Sequence, residues 1–257
     1  AAGLFAKNIS NVTVENGWFY GNAAHHQGGA MYFDSSTATV RATRVYGNMA
    51  PYAGGAMIKN GSIVTFDGCY FHDCMAYHLL TTYYYGGAMV VTGAGTSATI
   101  QNSQFVNNKA DYWQYGSGGA LYLSDSASIL IENCAFAGNI CNGDDDDTGG
   151  GAINYSNLSS LTVRRSIFSG NRARYIGGAV YGYGDASSAS FENCLFNGNV
   201  AQSNGGAYAA RANGTFDHSA MFLNCTFASN TVYDPMSNGG AIAIGTVDTG
   251  LASATLV

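Results

Sequence analysis

The tripeptide Gly-Gly-Ala occurs eight times, beginning at Gly28, Gly54, Gly86, Gly118, Gly150, Gly177, Gly205 and Gly239. No other feature constrains the fold of this chain as strongly. The intervals are 26, 32, 32, 32, 27, 28 and 34 residues, the length of one unit in a stacked solenoid. A second motif, Phe-x-x-Asn, alternates with it at Phe19–Asn22, Phe105–Asn108, Phe136–Asn139, Phe168–Asn171, Phe196–Asn199 and Phe227–Asn230. Val45–Asn48 and Phe71–Cys74 are its two variants. Two linked motifs in strict alternation describe one coil written repeatedly, of which 26–34 residues are too few to enclose a core alone.

The residues before each Phe give the coil its geometry. Five positions earlier stand Val14, Val40, Phe66, Ile100, Ile131, Val163, Phe191 and Phe222, and seven earlier Val12, Ala38, Val64, Ala98, Ile129, Leu161, Ala189 and Ala220. Between them lie mostly Thr and Ser, so the alternation has the period of a strand with one face inward. Three before the Phe, Asn16, Asn102, Asn133, Asn193 and Asn224 recur. Asn tolerates left-handed backbone, so the strand bends there. A short second strand then carries the Phe inward, the Asn of Phe-x-x-Asn makes another bend, and after a variable loop Gly-Gly-Ala opens a third strand. The residue after Ala is always apolar, yet a repeated Ala also suits crowding, so the inward face of this strand stays open. Stacked at about 4.8 Å, eight to nine such coils make an all-β parallel β-helix roughly 40 Å long, one domain over residues 1–257.

The pair Gly-Gly-Ala(-Ile) and Phe-x-x-Asn resembles the repeat of the polymorphic outer-membrane proteins of chlamydiae, over residues 12–244, with Val45 and Cys74 as departures. The resemblance implies a right-handed parallel β-helix exposed at the cell surface, outside the cell, often in adhesins or autotransporter passengers. It specifies architecture far more than activity.

Composition narrows the partners. Only 10% of residues are charged, against about 25% in an ordinary domain. A net charge of −6 leaves no basic stripe for nucleic acid. No apolar run reaches the roughly 18 residues of a membrane span. The chain opens on Ala1 without an initiator Met, which reads as an excerpt or a processed product.

Four kinds of candidate site remain. Four residues before each Phe, Glu15, Arg41 and Asp67, then Glu132, Arg164 and Glu192, alternate in sign, as an outward ladder on neighbouring strands does. The run Asp144, Asp145, Asp146 and Asp147 offers hard oxygen ligands for Ca²⁺, the one cofactor considered, or forms a solvated loop neutralised by Arg172 and Arg174. The loops between Phe-x-x-Asn and Gly-Gly-Ala share one edge. They carry Tyr77, Tyr83, Tyr84, Tyr85, Tyr112, Trp113, Tyr115 and Tyr175, suited to a glycan or protein ligand or to packing over the helix side. Cys69, Cys134, Cys194 and Cys225 occupy one inward column, while Cys74 replaces a ladder Asn and Cys141 falls in a loop. Cys194–Cys225, Cys69–Cys74 and Cys134–Cys141 are the pairings open to disulfides, and no CxxC pair points to zinc. Sequons at Asn8, Asn11, Asn60, Asn154, Asn157, Asn213 and Asn224 permit glycosylation.

With its strand-face acids in a ladder and other Asp in turns, the chain reads as a non-enzymatic surface protein: an adhesin, a passenger, or a subunit of a filament or sheath that self-associates end to end. The alternative is a polysaccharide lyase or glycoside hydrolase, a class that needs carboxylates at a defined separation.

Overall fold

A computed structural model describes residues 3–77, 84–111, 115–145, 148–184, 186–212, 218–237, 239–246 and 252–256. Every paired strand in it runs parallel to its neighbours, and the chain winds through four sheets in turn. One coil shows the path: Met31–Asp34 in the first sheet, Thr37–Arg41 in the second, Arg44–Tyr46 in the third and Met49–Ala50 in the fourth. The sheets hold nine, nine, eight and seven strands respectively. Among the described residues seven coils therefore visit all four sheets, with a partial coil at each end. The three strands expected per coil become four, because the two residues after each Phe-x-x-Asn motif pair with the next coil before the loop leaves.

The inward ladders lie where period-two alternation puts them. Val40, Phe66, Ile100, Ile131, Val163 and Phe191 have no exposed surface. In the third sheet Phe71, Phe105, Phe136, Phe168, Phe196 and Phe227 stack face to face, with centroids 4.8–5.0 Å apart. This spacing is that of the strands themselves, so each ring covers the next without rotamer adjustment. The fourth sheet buries a column of Ala apart from the main core: Ala50, Ala76, Ala110, Ala173 and Ala201. Cys141 belongs to that column and is fully buried, so it is a ladder residue and not a loop residue.

Both bends that flank the third sheet use left-handed backbone. The first is the expected one, with φ near 52° at Asn16, Asn102 and Asn133, and Ala42, Gly68 and Arg165 at the equivalent places. The second moves one residue back from expectation. Gly21, Gly47, Asp73, Asn107, Gly138, Gly170, Gly198 and Ser229 take positive φ, and the Asn that follows does not. That Asn is instead a buried hydrogen-bond relay. The Nδ2 of Asn139 donates to the Phe105 carbonyl at 2.9 Å and to Asn171 Oδ1 at 2.9 Å, while its own Oδ1 accepts from the N and Nδ2 of Asn108 at 3.0 Å. Asn108, Asn171 and Asn199 repeat the pattern. Cys74 breaks it: its thiol meets Asn48 Nδ2 only at 4.0 Å and donates to the Val45 carbonyl.

Gly-Gly-Ala forms the corner into the first sheet. Its first Gly takes φ of 61–73°, and its second has no room for a side chain: a Cβ on Gly119 would stand 2.0 Å from the Gly151 carbonyl and 2.7 Å from the Ile140 nitrogen. At residues 54–56 the motif sits one residue late, since Ala56 pairs with Met31. Ala53 therefore takes the left-handed place, with φ 60°, and Gly54 the crowded one. The inward face left open by the sequence is now fixed: Met31 and Phe33 join the main core, and Tyr32 faces out under a loop.

One polar group is enclosed in that core. Tyr155 and Tyr208 bond hydroxyl to hydroxyl at 2.6 Å, and His218 Nε2 lies 2.8 Å from the Tyr155 hydroxyl. Gly182 makes the space, because a Cβ there would stand 2.3 Å from His218 Nε2. Burial holds His218 down at about 4 and pushes both tyrosines well up. The imidazole is thus neutral at physiological pH.

Candidate functional site: the loop-covered face of the first sheet

Between its end strands the first sheet is covered on both faces, whereas Phe5 on its first strand is exposed. Inward residues join the core, and the outward column reads Tyr32, Met57, Val90, Tyr122, Asn154, Tyr181, Ala209. The described loop residues pack over this column. Tyr52, Tyr85 and Tyr122 pack on Tyr32, Met57 and Val90, while Tyr175 and Tyr183 pack on Ile176 and Tyr181. Tyr85 stacks on Tyr122 at 4.2 Å with planes 12° apart. Its backbone joins Tyr84–Tyr85 to Gly116–Ser117 in a two-stranded parallel pair, which holds the overhang in register.

The loop aromatics are thus partly a lid. Tyr85 and Tyr175 are packing residues as well as candidate contacts, and Tyr77 is half-buried, its N–H donating to the Ala50 carbonyl. Tyr115 is half-buried too. Of Tyr84 the backbone alone is described; Tyr83, Tyr112 and Trp113 lie outside the described residues, as do Asp146 and Asp147. Under the overhang Tyr85, Tyr115, Tyr122 and Tyr183 enclose a cavity of about 220 Å³ with Thr148, Asn154 and Ser156. A wider one of about 570 Å³, lined by Tyr175, Asn204 and Arg211, follows toward the last coils. The face therefore offers aromatic walls, amides and hydroxyls, with one guanidinium at its far end.

Charge is engaged elsewhere. Arg41 reaches Glu15 at 3.6 Å, and Arg164 bridges Glu132 at 3.6 Å and Glu192 at 3.3 Å on the second sheet; Asp67, expected to continue the first run, instead accepts from Asn102 Nδ2 at 2.8 Å. Exposed pairs of this kind are worth about 0–1 kcal/mol each and act mainly on register. Asp144 pairs with Arg174 at 3.2 Å, and the Asp145 carbonyl closes a turn with Thr148. Asp34 is capped by Asn60 at 2.8 Å, and that hydrogen bond, with help from Ser35 and two lysines, holds its carboxyl below the usual range against the cost of burial. Among the described residues no group of three His, Cys, Asp or Glu side chains is placed to hold a metal ion.

All six cysteines are free thiols. Cys69 and Cys74 lie at opposite ends of the strand Tyr70–His72, and Cys134 and Cys141 flank Ala135–Ala137, so an extended strand keeps each local pair apart. Cys194 and Cys225 do meet, on neighbouring coils. Each thiol donates to main-chain carbonyls, Cys194 to Val163 and Glu192 and Cys225 to Phe191 and Leu223, and the proximity of the two thiols pushes Cys194 up and pulls Cys225 down. Burial pushes Cys74 and Cys141 up to about 12.

The outward column stands two residues after each Gly-Gly-Ala except the slipped one at residues 54–56, where Met57 follows directly, but the strict repeat of the glycines masks it. Asn154 entered only as a sequon; it is 1% exposed and closed to modification, whereas Asn8, Asn11, Asn60 and Asn157 are exposed. An aromatic patch on the third sheet was also missed. Tyr20, Tyr46 and His72 stack at 5.3 and 4.8 Å, and Arg44 lies 5.0 Å over the Trp18 ring. Its signal is the pair of positions flanking the Phe, aromatic in the first coils and small or aliphatic later.

A solenoid of parallel coils that reserves one loop-covered sheet face defines the class of non-globular β-helix proteins. The chain belongs to the right-handed β-helix family, whose model, described as the right-handed beta helix region, matches residues 1–136. The Chlamydia polymorphic membrane protein repeat matches residues 165–183, in agreement with the Gly-Gly-Ala and Phe-x-x-Asn reading. No curated protein and no solved structure matches the chain. No described helix is long and apolar enough to cross a membrane.

Proposed function

We propose that this β-helix is a cell-surface, extracellular structural and adhesive element that binds through the loop-covered face of its first sheet. The single observation that carries the reading is the contrast between that face and the rest of the surface. Among the described residues, carboxylates such as Glu15, Glu192, Asp144 and Asp34 are tied into ladders, turns and caps, while the face collects tyrosines, amides and hydroxyls around cavities. Aromatic rings beside hydroxyls and amides recognise ligands with little ordering cost. Hydrolysis by a carboxylate pair would need acids free to face a scissile bond. A double variant, Tyr115→Ala with Tyr175→Ala, should lose adhesion to host cells or immobilised glycans while keeping its β-sheet circular dichroism. Unchanged adhesion would refute the reading, and release of sugar products from acidic polysaccharides would favour an enzyme.

A further inference from the structure

The cavity beneath Tyr85 and Tyr122 contains a feature that packing does not account for. Asn154 points outward from the strand Ile153–Ser156, is 1% exposed, and lines the cavity. Its Nδ2 makes only a long contact of 3.5 Å to the Gly149 carbonyl, and among the described residues its Oδ1 has no partner. A buried amide oxygen without a donor is costly, and native structures keep such groups rarely. The equivalent outward positions on neighbouring coils are Tyr122 and Tyr181, which shows that a large ring is sterically acceptable there. Asn154 therefore leaves both a space and an unmet acceptor.

The lining says what the space accepts. Around Asn154 stand the rings of Tyr85, Tyr115 and Tyr122 and the hydroxyls of Thr148 and Ser156, and among the described residues no charged side chain lines the cavity. An anion enclosed there would be desolvated without a counter-charge. A volume of about 220 Å³ corresponds to about seven waters at about 30 Å³ each, the bulk of one sugar ring. A pyranose presents an apolar C–H face to aromatic walls and hydroxyl donors around its rim.

Building on the reading of this face as a binding surface, we propose that the pocket takes a single ring of a neutral glycan, one hydroxyl of which donates to Asn154 Oδ1. The test uses the whole chain, titrated by NMR with methyl glycosides of neutral hexoses and with the matching uronic acids. Neutral glycosides should bind at least tenfold more tightly than the uronates, and Asn154→Leu should weaken them about tenfold, the effect of one hydrogen bond. The unliganded Asn154→Leu protein should unfold at the same or a higher temperature, since an orphaned acceptor has been removed. A fall in that temperature would assign Asn154 a structural role and overturn the proposal, as would equal binding of uronates or unchanged affinity in the variant. If Asn154→Leu does not fold, Tyr115→Ala opens the pocket wall without touching Asn154 and should show the same loss; unchanged affinity there overturns the proposal. Failure of every glycoside to bind, with adhesion still dependent on Tyr115 and Tyr175, removes the glycan pocket and leaves the adhesive face standing. Loss of both removes both.

Discussion

Replacing Asn139 by Ala tests whether the buried amide column is a principal source of coil-to-coil cohesion. The substitution deletes four hydrogen bonds and leaves three buried groups short of a partner: the Phe105 carbonyl, the Asn108 N–H and one Asn108 Nδ2 hydrogen. The fourth partner, Asn171 Oδ1, keeps the bond it accepts from the Asn139 backbone N–H. At about 1–3 kcal/mol for each of the three orphaned groups, the cost is about 3–9 kcal/mol. For a chain of this size about 2–4 °C accompany each kcal/mol, so the unfolding midpoint should fall by about 6 °C or more. The converse change, Cys74→Asn, should raise the midpoint, because it restores the missing rung between Asn48 and Asn108. Thermal and urea unfolding followed by circular dichroism, with hydrogen exchange at the Asn108 amide, read both effects. A loss of less than about 2 °C for Asn139→Ala, or a lower midpoint for Cys74→Asn, would show that the column is incidental and that the Phe stack alone joins the coils.

Two other outcomes follow from the backbone and the core. Gly119→Ala should abolish folding, since its Cβ would meet two backbones below 3.0 Å, whereas Gly170→Ala, at φ 59° with nothing within 4 Å, should cost about 1 kcal/mol; soluble yield and unfolding midpoints separate the two, and equal losses would refute the close-contact reading. The folded-state His218 titrates near 4, below its unfolded 6.5, so the unfolded chain binds the extra proton first. Stability is then full above pH 6.5 and falls, by about 3 kcal/mol in all, as pH drops through 4; urea midpoints against pH should show this slope in the wild type and lose it in His218→Gln, and a slope that survives the substitution would place the proton elsewhere.

What could be read without coordinates followed from side-chain chemistry that repeats at fixed offsets. Val40, Phe66 and Ile100 announce an inward ladder because strand alternation leaves them no other face. Asn16, Asn102 and Asn133 announce a bend because few residues tolerate left-handed backbone. The second bend is expected one residue too late, although Gly21, Asp73, Asn107 and Ser229 are all residues that tolerate or cap turns, because the neighbouring Asn repeats more strictly. Its strictness has a different cause, the amide relay. The slipped register at Gly54 is invisible to letter matching, since Ala53-Gly54-Gly55-Ala56 contains the motif one place late. The Tyr155–Tyr208–His218 group joins residues 53 and 63 positions apart, and no local pattern marks it. The candidate face was half legible: its tyrosines stood out, but Asn154 and Ser156 acquire meaning only when the loops close over them.

The amide column has a sense of direction. Every amide-to-amide side-chain hydrogen bond in it runs from the Nδ2 of one coil to the Oδ1 of the coil after it, from Asn108 to Asn139 to Asn171 to Asn199 to Asn230. Such a chain of dipoles is not superimposable on its own reverse. Another coil, whether from gene duplication or from a second molecule, can prolong it only if presented head to tail, and a twofold axis would set donor against donor or acceptor against acceptor. Growth of this architecture is vectorial at the level of a single side chain, and insertions confined to the loops leave that vector intact.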